Sequence, residues 1–569
     1  MRKIFKGIDA SPGIAIGKVF LCKDTELELN KNKIKDTETE ISKLLNGQKL
    51  TKIQLEEIRE KTRKKLGDNK AAIFDGHITL LEDEDLIEEV KLKIEDENFS
   101  AELALNDGIE EYCEMIANLD DEYLRERVGD LRDIAKRWIK NILGVESIDL
   151  GNLAPNTVII AKDLTPSDTA QMDLANVQGF VTEIGGKTAH SAIMARSLEV
   201  PAVVGTKDIM DKVNNGEMII VDALTGEIIV EPTKEEIEKY TVKKDKYLAE
   251  KEELRKLSSG EAITKDGRKV SAYANIGSPK DLVGVLKNGA DGIGLYRTEF
   301  LFMDNDRLPT EEEQLEAYKE VAERMEGKPV TIRTMDIGGD KALPYMKLPH
   351  EENPFLGYRA LRVSLDRVDM FKTQLRALLR ASAYGQVKIM FPMVISLNEV
   401  RKSKEILEEC KAELRAEGIA FDEDVKIGIM VETPATAFRA RQFAKEVDFF
   451  SIGTNDLTQY TLAVDRGSEQ ISNLYDTYNP AVLEAIRLSI EGAHEGGITI
   501  SMCGEFAGDE NATALLLGLG LDAFSMSASS IPKIKRNLIN SSYEEAKILA
   551  KEALELSTAE EIKAKIKNN

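Results

Sequence analysis

From about residue 261 onward, short apolar runs alternate with longer stretches of helical periodicity. Eight runs have strand character: Val270–Asn275, Asp291–Tyr296, Val330–Met335, Val387–Pro392, Ile427–Val431, Phe449–Gly453, Ile498–Met502 and Asp522–Met526. Helical patterns follow most of them, among them Glu311–Met325, Glu399–Ala416 and Ala481–Ala493. Eight strands interleaved with helices read as a (β/α)8 barrel of the TIM type, with an open doubly wound sheet as the structural alternative.

In a barrel the chemistry stands at the C-terminal strand ends. Arg297 closes the second run and Arg333 lies in the third. Glu432 closes the fifth. The sixth runs into Asn455 and Asp456, then Asp465 and Arg466, and the seventh ends at Cys503. Three arginines, the acids Glu432 and Asp456, an amide and a thiol on one rim point to a small, highly anionic substrate, because Arg forks bind carboxylate and phosphate bidentately. Glu432 and Asp456 are too few for an all-protein Ca2+ cage. They suit Mg2+, which keeps waters and borrows substrate oxygens. Cys503 reads either as a buried apolar filler or as an acid with a thiol pKa near the ordinary ~8.5.

The first part of the chain has a different texture. Residues 1–23 and 147–232 hold short Gly-punctuated β-like stretches, the pieces of an α/β domain. Residues 24–146 are rich in Glu, Lys and Leu with three- and four-residue apolar spacing, as in an all-α helical bundle inserted into that domain. Residues 233–260 read as a charged, solvated helical linker, and 261–569 as the barrel domain. Of the four histidines, only His190 follows a Gly-Gly turn at the expected start of a helix, in Gly185-Gly186-Lys187-Thr188-Ala189-His190. Free amides and the helix dipole there favour a phosphate, and an imidazole nitrogen that attacks phosphorus makes a covalent carrier. A helix-capping or core histidine is the bland alternative.

Acids outnumber bases 101 to 77, for a formal charge of −24, which argues against nucleic acid and anionic membrane as partners. No apolar run reaches the roughly 18 residues of a membrane span, and the opening MRKIFKGIDASPG has no apolar h-region. Cys22, Cys113, Cys410 and Cys503 form no CxxC pair, so a reducing cytoplasm is expected.

Three stretches carry a resemblance that runs end to end. GGKTAHSAIMARSLEVPAVVG (185–205), DFFSIGTNDLTQYTLAVDR (448–466) and SMCGEFAGD (501–509) resemble the phosphohistidine, barrel and cysteine-loop signatures of the enzyme I family of the phosphoenolpyruvate-dependent sugar phosphotransferase system. GIDASPGIAIGKVF (7–20), FDGHITLLEDEDL (74–86) and DLTPSDTAQ (163–171) are similar too. Ala189 departs from the family, several members of which carry Ser before the histidine.

The resemblance implies a phosphotransferase that takes the phosphoryl group of phosphoenolpyruvate onto His190, at Nε2, and passes it to the histidine of the phosphocarrier protein HPr, releasing pyruvate. Thr169 would orient the imidazole. Arg297, Arg333, Asn455, Asp456 and Arg466 would bind phosphoenolpyruvate, Glu432 and Asp456 would hold Mg2+, and Cys503 would protonate the enolate carbon. The His190 domain would swivel, the inserted bundle would dock HPr, and the barrel would form a homodimer. A phosphoenolpyruvate synthase or pyruvate phosphate dikinase would need a further nucleotide-binding domain, and no P-loop-like run is present. A non-catalytic regulatory relative would not need every reactive position filled.

Overall fold

The computed structural model describes residues 2–568 except 23–26, 28, 67, 118–121, 146–149, 151–152, 166–167, 169–171, 173–174, 187–188, 259, 304, 340, 342, 344, 347 and 469. The side chains of 61, 64–66, 68–73, 117, 122–127, 129–130, 190, 193, 197 and 258 also lie outside the description. The chain divides into two compact units, Met1–Ala249 and Glu250–Asn569.

The first unit is built on eight strands: β1 (Lys3–Lys6), β2 (Ile8–Ser11), β3 (Ile14–Cys22), β4 (Thr157–Ala161), β5 (Val177–Thr182), β6 (Ala202–Val204), β7 (Met218–Asp222) and β8 (Glu227–Val230). They form one mixed sheet in the order β1-β8-β7-β3-β4-β5-β6-β2, with β3 to β6 parallel. Side chains on β4 alternate between two cores. Val158 and Ile160 pack with Ala15, Val181 and Val221 on one face; Ile159 and Ala161 pack with Phe180, Ala192 and Ala195 on the other. A strand buried on both faces is apolar throughout, which is why Val-Ile-Ile-Ala stands out in the sequence.

Between β3 and β4 come five helices, α1 (Thr37–Leu66), α2 (Asp68–Leu81), α3 (Glu84–Glu97), α4 (Ala101–Ala117) and α5 (Glu122–Leu143), around their own core of Leu44, Phe74, Val90, Leu105 and Trp138. The Trp138 indole donates to Leu44 O at 2.8 Å, so the largest core side chain leaves no buried donor unmet. The segment 233–260, expected as a charged, solvated helical linker, is helical over Lys234–Ser258, but its early part is anchored rather than solvated. Tyr240 is buried against Ile14, Ile220 and Ile229 and donates to Glu227 at 2.9 Å. Sparse apolar positions thus hid one well-packed aromatic.

The second unit opens with a short hairpin of β9 (Ala262–Ile263) and β10 (Lys269–Ile276). There follow β11 (Ile293–Arg297), β12 (Val330–Arg333), β13 (Val387–Phe391), β14 (Lys426–Val431), β15 (Phe449–Ile452), β16 (Thr499–Met502) and β17 (Ala523–Met526). Strands β10 to β17 pair in parallel in chain order, and β17 also pairs β10, so the sheet closes. The open-sheet alternative is thereby excluded. Ile427, Ile429 and Val431 of β14, Phe450 and Ile452 of β15, and Ile500 and Met502 of β16 face the surrounding helices. The alternate positions Leu295, Met390, Met430, Phe449 and Cys503 form a separate cluster inside the barrel. Period-two alternation therefore assigns each strand-end residue to the interior or the exterior.

Candidate active site

That alternation aims Arg297, Arg333, Glu432 and Cys503 inward at one end of the barrel. Asp456 stands in the first turn of the helix Thr454–Leu462 that follows β15. Gly504 brings this loop against the helix start. A Cβ there would meet Thr454 Oγ1 at 1.8 Å and Thr454 N at 2.7 Å.

The interior is crowded with paired charges. Arg333, 6 % exposed, bonds Glu299 and lies 3.1 Å from Asp336. Asp336 also accepts from Arg359 at 2.9 Å and pairs with Lys341 at 3.3 Å. Arg359 reaches Asp456 at 3.4 Å and the Tyr460 hydroxyl at 3.2 Å. Desolvation works to raise the Asp336 pKa, but Arg333, Arg359 and Lys341 outweigh it and hold that carboxyl well below the usual range. Glu432 is driven the other way. Burial first, then the Asp456 and Asp336 carboxylates, push it up to about 8 despite the arginines, although Met393 N donates to it at 2.5 Å.

Four polar atoms in this cluster are buried without a hydrogen-bond partner among the described residues: Asp456 Oδ1, Glu299 Oε2, Arg333 Nε and Arg359 Nε. Native interiors rarely leave such groups unmet unless a ligand completes them. A divalent cation would satisfy the acceptor on Asp456 and relieve the repulsion that raises Glu432; an anion would satisfy the guanidinium donors. Among the described residues no group of three or more His, Cys, Asp or Glu is arranged to hold a metal ion by itself. The neighbouring carboxylates Glu432 and Asp456, one with an unmet oxygen, fit Mg2+, which needs few protein carboxylates.

Cys503 is 2 % exposed, with its Sγ 3.7 Å from Ile452 O. Its thiol is not near the ordinary value expected from sequence. Burial pushes it up, more than the neighbouring Ser451 and the Arg333 charge pull it down, so the proton is held more firmly. Asn455 is half-buried; its Oδ1 accepts from Glu505 N at 3.1 Å and its carbonyl from Tyr475 OH at 3.0 Å. Arg466 lies exposed, with its backbone N–H on Gln459 Oε1 at 3.1 Å and its charge felt by Tyr475. Four members of the cluster were not singled out in the sequence. Glu299 and Asp336 follow barrel strands, a usable signal. Arg359 and Lys341 come from the long β12-to-β13 segment, where no periodicity marks them.

In the first unit His190 opens the helix His190–Leu198, and Ala189 is its N-cap. Alanine has no side-chain oxygen, so no side chain at that position caps the leading amides. Ser191 follows, 1 % exposed, with its hydroxyl lacking a partner among the described residues. The His190 side chain, Lys187, Thr188 and Thr169 lie outside the described residues.

Three family models match the chain: PEP-utilising enzyme, N-terminal, over 6–127; PEP-utilising enzyme, mobile domain, over 153–226; and PEP-utilising enzyme, PEP-binding domain, over 251–543. The chain is 53 % identical over 563 residues to a phosphoenolpyruvate-protein phosphotransferase of Staphylococcus aureus, covering 99 % of this chain and 98 % of that protein. It is 52 % identical over 561 residues to one of Haemophilus influenzae, covering 98 % of each. A solution structure of Enzyme I (nEIt) aligns with 43 % of this chain and 99 % of its own, at 46 % identity and a TM-score of 0.40. Among the described residues no helix is long and apolar enough to cross a membrane.

Proposed function

The chain belongs to the phosphoenolpyruvate-protein phosphotransferase family, and we propose from that premise that it moves the phosphoryl group of phosphoenolpyruvate onto His190 and then onto a histidine of HPr, releasing pyruvate. The observation that carries this reading is a barrel interior that joins unmet guanidinium donors, an unmet carboxylate oxygen and a buried thiol.

Each group has a task in that chemistry. Arg297, Arg333 and Arg359 bind the phosphate, and their fixed donors counter the charge on its oxygens during in-line transfer. Asn455 and Arg466 at the mouth hold the carboxylate. Asp336 and Glu299 keep the buried cations aligned before substrate arrives. Glu432 and Asp456 would hold Mg2+, which supplies charge neutralisation at the phosphoryl and enolate oxygens. Cys503 gives its proton to C3 of the enolate; a thiol held protonated by burial is suited to that role. The His190 ring nitrogen takes the phosphoryl group, and the N-cap Ala189 puts no side-chain oxygen on the helix amides, whose dipole favours an anion.

HPr is the proposed acceptor, and the five-helix insertion its docking face. Within the segment 80–84, Leu81 is in the helical core and cannot contribute, which leaves exposed Glu82 and Glu84 to meet a basic rim. A homodimer through the barrel unit, working in the cytoplasm, completes the reading; its support is the family membership and four cysteines without a disulfide.

His190→Ala tests the assignment. With Mg2+ and labelled phosphoenolpyruvate, the wild type incorporates acid-labile phosphate at residue 190 and the variant incorporates none. Label on His77, His350 or His494 in the intact protein would sink the assignment.

A further inference from the structure

Cys503 sits just past the end of the seventh barrel strand, where backbone pairing has stopped on one side. Strands β16 and β17 pair only as Ser501 with Ala523 and Met502 with Phe524. On the other side Cys503 N donates to Ile452 O at 3.0 Å. The open side is closed by one side chain. Asn275, from β10, donates through Nδ2 to Cys503 O at 2.9 Å, reaching over β17 to do so. That Nδ2 lies 3.4 Å from Ser525 O, and Asn275 Oδ1 accepts from Ser525 Oγ at 2.6 Å. Ser525, fully buried, thus fixes the amide orientation. Room for it is made by Gly294 on β11, where a Cβ would stand 2.2 Å from Ser525 Oγ.

We propose that Asn275, oriented by Ser525, is the positioning residue that holds the Cys503 thiol against one face of the enolate. It thereby governs the protonation half of the reaction and not the phosphoryl half. The inference rests on the proposed reading of Cys503 as proton donor. In that step the enolate's electron pair takes the Sγ proton to form C3–H, the S–H bond breaks, and the thiolate regains a proton from water. The hydrogen bonds of Asn275 run to Cys503 O and to Ser525, and among the described residues none runs to Glu432, Asp456 or an arginine. It also lines a cavity of about 970 Å3 with Arg297, Gly504, Glu505 and Ser527. In Asn275→Ala, water from that cavity can reach the freed carbonyl, so the variant should fold.

The test uses the full-length protein with Mg2+ and phosphoenolpyruvate labelled stereospecifically at C3 with deuterium and tritium. Phosphate incorporation, pyruvate release and methyl chirality are measured for wild type, Cys503→Ala, Asn275→Ala and Asn275→Asp. Expected for Asn275→Ala is unchanged incorporation, pyruvate release lowered about tenfold, and a methyl group moved towards racemic. That loss is smaller than the ~10²–10⁴-fold of removing the acid itself. Asn275→Asp keeps the acceptor for Ser525 but not the donor to Cys503, and should behave as the alanine variant does. Full chirality in both Asn275 variants, with chirality lost in Cys503→Ala, would overturn the inference and leave the proton donor standing. Chirality retained in Cys503→Ala would overturn the reading beneath it, and the inference with it.

Discussion

Two side chains at the barrel mouth differ in what surrounds them, and their behaviour should differ accordingly. Burial raises the Cys503 thiol, so its thiolate fraction at neutral pH lies below that of a free cysteine. The pH at which alkylation of Cys503 accelerates should therefore lie above that of a free thiol measured alongside; an inflection below it would contradict the picture of a firmly held proton. Asp336 is the common partner of Arg333, Arg359 and Lys341. Removing it in Asp336→Ala leaves Arg333 and Lys341 to share Glu299 and Arg359 with Asp456 alone, an under-compensated buried cluster that should cost up to about 3–5 kcal/mol, as for a broken buried pair. Denaturant unfolding should show that loss, and the KM for phosphoenolpyruvate should rise because the guanidinium forks lose their alignment. Neither effect was foreseeable from residue types, since Arg359 and Asp336 are 23 positions apart and meet only through the fold.

At the scale of elements, the barrel strands were legible as short apolar runs because parallel strands covered by helices are buried on both faces. The expected run Ile427–Val431 is observed as Lys426–Val431, and Phe449–Gly453 as Phe449–Ile452. Once the strands are placed, their alternation already says which strand-end residues point inward. The loops after the strands were less legible. Gly504 shows why: its importance comes from Thr454, fifty residues away, which occupies the space a side chain would need. Gly504→Ala should displace the Cys503 loop and cost about 1–3 kcal/mol by overpacking. The checks are a lowered melting temperature and slowed pyruvate release; unchanged values for both would show that the loop yields freely.

At the scale of the whole molecule, the chemistry is divided between units. Every residue proposed to bind phosphoenolpyruvate or Mg2+ lies in Glu250–Asn569, whereas His190 and the helical insertion lie in Met1–Ala249. A fragment of residues 1–258 should therefore exchange phosphate with phosphorylated HPr and take none from phosphoenolpyruvate. A folded fragment that neither binds HPr nor exchanges phosphate would refute the docking role of the insertion. The amino-acid sequence by itself determined the alternation of strands and helices, the separate helical insertion and which charged, amide and thiol side chains stand at strand ends, because these follow from local periodicity and from residue chemistry. Only the tertiary structure decided that the sheet closes, that Arg359, Lys341, Asp336 and Glu299 join the site, that the Cys503 thiol is raised, and that Asn275 clamps its carbonyl. Those depend on distances between segments far apart in the chain and on the water excluded between them, and both come into being only when the chain packs.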